Sequence, residues 1–95
     1  MNNELDEHAQ LNVEISNLRA TDEELEKLKH LIVTGLGKNA TPPKITAVSS
    51  DAKGSLYELN FRVLNPKHFE LSTVQNWLYT ATLVGWSLNA TFVRP

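Results

Sequence analysis

The residues able to carry chemistry are few and scattered. Three histidines, His8, His30 and His68, fall in an N-terminal stretch, on a helical segment and in a loop. None has a second histidine four residues away and no H-E-x-x-H occurs, so helical zinc-ligand spacing is missing. His68 and Glu70 stand two apart in a loop, and His30 follows Glu26 at the spacing of a surface ion pair on a helix. There is no cysteine, which removes disulfides, thiol nucleophiles and thiolate metal ligands. Gly35-Leu36-Gly37 follows a helical stretch rather than a strand, so it lacks the context of a phosphate loop. No serine occupies a nucleophile elbow. The expectation is a protein with no catalysis, no metal and no cofactor of its own.

One anion site can be assembled. Arg19 precedes a helix start at Thr21, where free amides and a guanidinium fork together suit a phosphate. Acylphosphatases use the loop between strand one and helix one in this way. Ser16-Asn17-Leu18-Arg19-Ala20-Thr21 resembles that loop in its arginine only, because the glycines are absent. Asp22, Glu23 and Glu24 follow and would repel a phosphate. An acylphosphatase-like enzyme at Arg19 therefore stands behind an ion pair between Arg19 and nearby acids.

The elements that must position these residues read β-α-β-β-α-β. Residues 1–9 have few apolar anchors and are expected to be a disordered acidic lead-in. Residues 10–95 form a single domain. Leu11, Val13 and Ile15 alternate with Asn12, Glu14 and Ser16, the period of a half-buried strand. Thr21-Asp22-Glu23-Glu24 is a capping box, and Leu25, Leu28, Leu31 and Ile32 form the apolar stripe of the helix behind it. Gly35 and Gly37 are expected to stop that helix. After the Pro42-Pro43 loop, Lys44 to Ser50 reads as strand two. Asp51-Ala52-Lys53-Gly54 reads as a hairpin connection. Tyr57, Leu59, Phe61 and Val63 form the inward set of strand three. Ser72-Thr73-Val74-Gln75 reads as a second capping box, opening a helix with Val74, Trp77, Leu78, Ala81 and Val84 inward and ending at Gly85. Trp86, Leu88, Ala90 and Phe92 then alternate as the last strand.

A strand-helix-strand crossover is right-handed and leaves a gap that strand three fills. The predicted class is α+β, a two-layer ferredoxin-like sandwich. A four-stranded antiparallel sheet, with strands one and three central, carries two helices on one face. The other face is left bare, and RNA binders of this topology stack bases on it. Lys53-Gly54 followed by Tyr57 and Phe61 superficially resembles the strand-three signature of RNA-recognition domains. Parity places both rings on the core side, leaving Asn12, Glu14, Ser16, Leu56, Glu58, Asn60 and Arg62 on the bare face. Two glutamates and no ring make a poor platform for bases. A shift of one residue in register would reverse this.

Charge is unevenly placed. Up to Glu26 there are eight acids and one base, a net −7; from Lys27 onward there are eight bases and three acids, a net +5. From Ser72 to Ala90 there is no charge at all. On helix two the outward stripe is expected to be Asn76, Tyr79, Thr80 and Leu83, an uncharged face of the kind found at interfaces. The favoured function is a small non-enzymatic interaction module. It would be cytoplasmic, an accessory or inhibitor protein of phage or mobile-element type. It would dock on a partner protein or form a homodimer through helix two. The polar sheet residues Glu14, Glu58, Asn60 and Arg62 form a second candidate surface. The rival is a nucleic-acid binder using Lys38, Lys44, Lys53, Arg62, Lys67 and Arg94. No membrane association is expected, because the most apolar window, residues 77–86, is too short to span a bilayer.

Overall fold

Alternation along the central strands sets the architecture. The structure, a computed structural model, describes residues 9–51 and 54–94. The expected lead-in thus lies outside the described residues except for Ala9, which is buried. The elements are β1 (Gln10–Ala20), α1 (Asp22–Leu36), β2 (Lys44–Asp51), β3 (Gly54–Val63), α2 (Leu71–Thr80) and β4 (Ser87–Val93). Their order in the sheet is β2-β3-β1-β4, with every pairing antiparallel. This is the ferredoxin-like arrangement, with β1 and β3 central as the crossover rule requires.

Register confirms the parity. Val13 lies opposite Phe61 and Ala90, and Ile15 opposite Leu59 and Leu88. These positions share the helix-covered face. Val13, Ile15, Leu59, Phe61 and Val63 are buried there with Leu25, Leu28 and Ile32 of α1 and Val74 and Leu78 of α2. Each such aliphatic side chain contributes about 1.5–3 kcal/mol over leaving it in water. Tyr57 and Phe61 belong to this face, so neither ring reaches the bare side.

β1 is longer than its alternation indicates. A bulge between Ile15 and Leu18 inserts one extra residue, and Asn17 takes φ 56° to make it. The extra residue resets parity, so Leu18 and Ala20 turn inward opposite Tyr57 and Ser55. Arg19 therefore lies within β1, on the bare face, and not in a loop. Period-2 reading loses the strand here because a bulge shifts the inward set by one.

α1 starts on the predicted capping box. Thr21 Oγ1 accepts from the Glu24 amide at 3.2 Å, and Glu24 Oε1 accepts from the Thr21 amide at 2.9 Å. Gly35 does not stop the helix; it lies within it, and Gly37 caps it at φ 55°. Gly35 serves packing instead. A Cβ built there would collide with Cζ2 of Trp77 and stand 3.1 Å from Cη2. Only glycine lets the indole of α2 lie against the last turn of α1.

α2 corrects the sequence reading most. It begins at Leu71 with Glu70 as its N-cap and no side-chain cap, so the Ser72–Gln75 box is not used. It ends at Thr80, five residues before Gly85. Thr82 adopts φ 60° and turns the chain. Beyond that turn helical periodicity no longer predicts direction. Leu83, expected on the outward stripe, is 2% exposed, while Val84, expected inward, is 76% exposed.

Candidate functional site

The turn at Thr82 is closed by the Leu83 amide, which donates to the Leu78 carbonyl at 3.0 Å, and is tied to α1 as well. The Thr82 hydroxyl donates to Glu24 Oε2 at 3.2 Å, while the other oxygen of that carboxylate completes the capping box. The Thr21 amide bound to Glu24 holds its carboxyl below the usual carboxylate value, against a smaller opposing effect of desolvation; the two threonine hydroxyls add to the lowering. One carboxylate thus ties the start of α1 to the turn that follows α2.

This turn builds an apolar surface. Trp86 Nε1 donates to the Leu83 carbonyl at 3.1 Å, which fixes the plane of the indole. The Tyr79 ring meets Trp86 edge to face, centroids 5.7 Å apart at 61°. Tyr79 is 64% exposed. Val84 stands on the same connection. From Trp86 the strip continues along β4 through Leu88 and Ala90, both half-buried, to Phe92, which is 68% exposed. Phe92 pairs with buried Leu11 and so lies on the core face, yet the helix layer leaves it open. Of the predicted helix-two stripe, Asn76, Tyr79 and Thr80 are exposed, and Leu83 belongs to the core. Val84, Trp86 and Phe92 take its place. Pairing the uncharged stretch with the edge position of the last strand would have pointed to them.

The polar face is as parity predicts. Lys44, Asn60, Glu14 and Asn89 form one cross-strand row, and Arg62, Asn12 and Thr91 the next. A shallow depression of about 260 Å³ lies over Glu14, Ser16, Lys44, Glu58, Asn60 and Asn89. Arg62 donates to Gln10 Oε1 at 3.3 Å. No aromatic ring lines this depression.

Arg19 is engaged on the same face at the opposite end of the strands. Its guanidinium meets Asp51 at 3.0 Å and the Gly54 carbonyl at 3.2 Å. An arginine in a strand, bound to a carboxylate, is placed differently from one in a phosphate-binding loop. Glu26 reaches Lys29 at 3.6 Å, and the His30 ring lies 3.4 Å from the Thr34 hydroxyl. His68 and Glu70 line a cleft of about 310 Å³ between the ends of α1 and α2, beside Trp77 and Thr73. Among the described residues no group of three or more acids and histidines is placed to hold a metal ion. Among the described residues no helix is long and apolar enough to cross a membrane.

Strand direction gathers the basic residues. The starts of β1, β2 and α2 and the ends of α1, β3 and β4 share one end of the sandwich. Lys38, Lys44, Arg62, Lys67 and Arg94 therefore lie at that end; the sixth candidate, Lys53, lies outside the described residues. The Asn39 side chain, bonded to the Asn65 backbone, ties two of the segments together. Asp22, Glu23, Glu24 and Asp51 sit at the opposite end, matching the dipole of α1.

No protein-family model and no curated protein matches the chain. Among solved structures it is similar to the de novo designed protein Foldit4, at 14% identity and a TM-score of 0.49, over 90% of this chain and 99% of that one. It is also similar to a dimeric protein of unknown function and ferredoxin-like fold from Bacteroides fragilis NCTC 9343. That likeness has 10% identity and a TM-score of 0.46, over 90% of this chain and 97% of that one. Both are likenesses of fold.

Proposed function

We propose that this protein is a small, non-enzymatic interaction module of the cytoplasm, of accessory or inhibitor type, which docks on another protein molecule. Its contact surface is the end of α2 with the connection to β4, centred on Tyr79, Val84 and Trp86. One observation carries this reading. An aromatic and a branched aliphatic side chain stand more than half exposed in a stretch, residues 72–93, that contains no charge. An exposed ring and an exposed aliphatic side chain in an uncharged stretch of chain match the composition of an interface core. Tyrosine and tryptophan are also the residues that most often anchor one. Affinity capture with the wild type and with Tyr79→Ser plus Val84→Asp tests it. Both side chains are exposed, so the variant should fold while losing its specific partners. An unchanged set of captured proteins, with unchanged mass in solution, would remove the reading.

A second reading has its own observation, the convergence of Lys38, Lys44, Arg62, Lys67 and Arg94 at one end. Five cations there, with Glu70 as a nearby acid, suit a phosphate backbone. A gel shift that weakens steeply with salt would support nucleic-acid binding; no binding at low salt would end it.

A further inference from the structure

The two edges of the sheet differ in a way that selects a partner. Edge strands expose unpaired amides and carbonyls, and proteins normally blunt them with charge, proline or a bulge. β2 is protected on every count. It carries Lys44 and Asp51, follows Pro42-Pro43, and is bulged between Ala47 and Ser49. Within its span β4 has none of these; in sequence a charge and a proline, Arg94-Pro95, come only after it. Ser87–Val93 contains no charge and no proline, and pairs with β1 in unbroken register from Ser87 to Val93. Its outer rim is a regular, uncharged template seven residues long.

We infer that this rim pairs with the same strand of a second copy, joining two sheets into one of eight strands. This goes beyond the interaction reading above and uses a surface of its own, the outer rim of β4. The strand itself selects the register. An antiparallel pair that keeps both helix layers on one side must be centred on a residue, not between two. Of such pairings, only the one centred on Ala90 uses all seven residues. It sets Leu88 opposite Phe92 of the second copy and Asn89 opposite Thr91. At the rim Trp86 meets Arg94 of the second copy, a cation beside an indole. The smallest side chain of the row falls on the two-fold axis, and no like charges meet. The exposed ring of Phe92 is covered. The strand is about 23 Å long at about 3.3 Å per residue, and the two layers are about 20 Å deep. On the order of 500 Å² per copy is buried, at the lower bound for a specific interface. The dimer should therefore be dynamic, forming over the micromolar range.

Sedimentation between about 1 µM and 1 mM should show the mass rise from 10.7 kDa toward twice that value. Asn89→Lys with Thr91→Lys alters two exposed side chains and sets like charges opposite one another. It should weaken association at least about tenfold. Mixing it with the Asn89→Glu, Thr91→Glu variant should restore a dimer containing one of each. The chain has no cysteine, so Ala90→Cys offers a register test. Residues facing each other across antiparallel strands lie within disulfide reach. Mild oxidation should cross-link Ala90→Cys much faster than Thr46→Cys on the far edge. A single 10.7 kDa species at every concentration, or equal cross-linking at both positions, overturns the self-pairing. If Tyr79→Ser plus Val84→Asp still abolishes capture of another protein, the interaction reading survives that result.

Discussion

Gly35→Ala is the most exacting test of how the two helices meet. In an ordinary helix interior the change should stabilise by about 1 kcal/mol, because alanine loses less backbone freedom. Here the new methyl group falls onto the indole of Trp77. Cζ2 is overlapped, and Cη2 and Cε2 stand 3.1 and 3.3 Å away. Relaxed carbon contacts need about 3.5–4.0 Å, so the ring or the helix must retreat by about 1 Å. Overpacking of that size costs about 1–3 kcal/mol. Subtracting the helical gain leaves a net loss of about 1 kcal/mol. With a urea slope of about 1 kcal/mol per molar for a domain this small, the midpoint should fall by about 1 M. Trp77→Leu removes the obstacle, and in that background Gly35→Ala should raise stability. The reversal of sign gives a coupling of about 1–3 kcal/mol. Far-UV circular dichroism is the suitable probe, because removing Trp77 alters the fluorescence. Equal stabilisation in both backgrounds would refute the close packing of α1 and α2.

The remaining predictions concern the turn and the ion pairs. Leu83→Ala should cost about 2–4 kcal/mol in urea denaturation, while Val84→Asp, a neighbour that faces water, should cost no more than about 0.5 kcal/mol. Glu24→Gln should destabilise by removing the ionised cap. The folded carboxyl titrates below its ordinary value of 4.5, so its contribution is complete above that pH and fades as pH falls through the folded value. The difference between wild type and Glu24→Gln should shrink on acidification below 4.5; a difference independent of pH would contradict the cap. Arg19→Ala should cost less than about 1 kcal/mol, and less in 1 M salt, because both partners of the Asp51 pair face solvent. A salt-insensitive loss would show another role for the guanidinium.

The element order, the central pair of strands, the core face of β3 and the capping box of α1 are all legible in the sequence. Each rests on local periodicity or on a motif spanning four residues, and local signals survive without knowledge of the rest of the chain. The polar character of the bare sheet face follows in the same way from parity. Three matters were decided by tertiary structure. The bulge at Ser16 and Asn17 resets parity and moves Arg19 into β1, because pairing with β3 rewards burying Leu18 and Ala20. α2 stops at Thr80 in a left-handed turn at Thr82, closed by the Leu83 amide on the Leu78 carbonyl and tied to Glu24, fifty-eight residues away. That turn exchanges Leu83 for Val84 at the surface, and no helical period could anticipate it. The gathering of basic residues at one end comes from strand direction, a property of the whole topology. Chemistry-bearing residue types could be counted from the sequence, but which side chains share a surface depended on contacts between segments far apart in the chain.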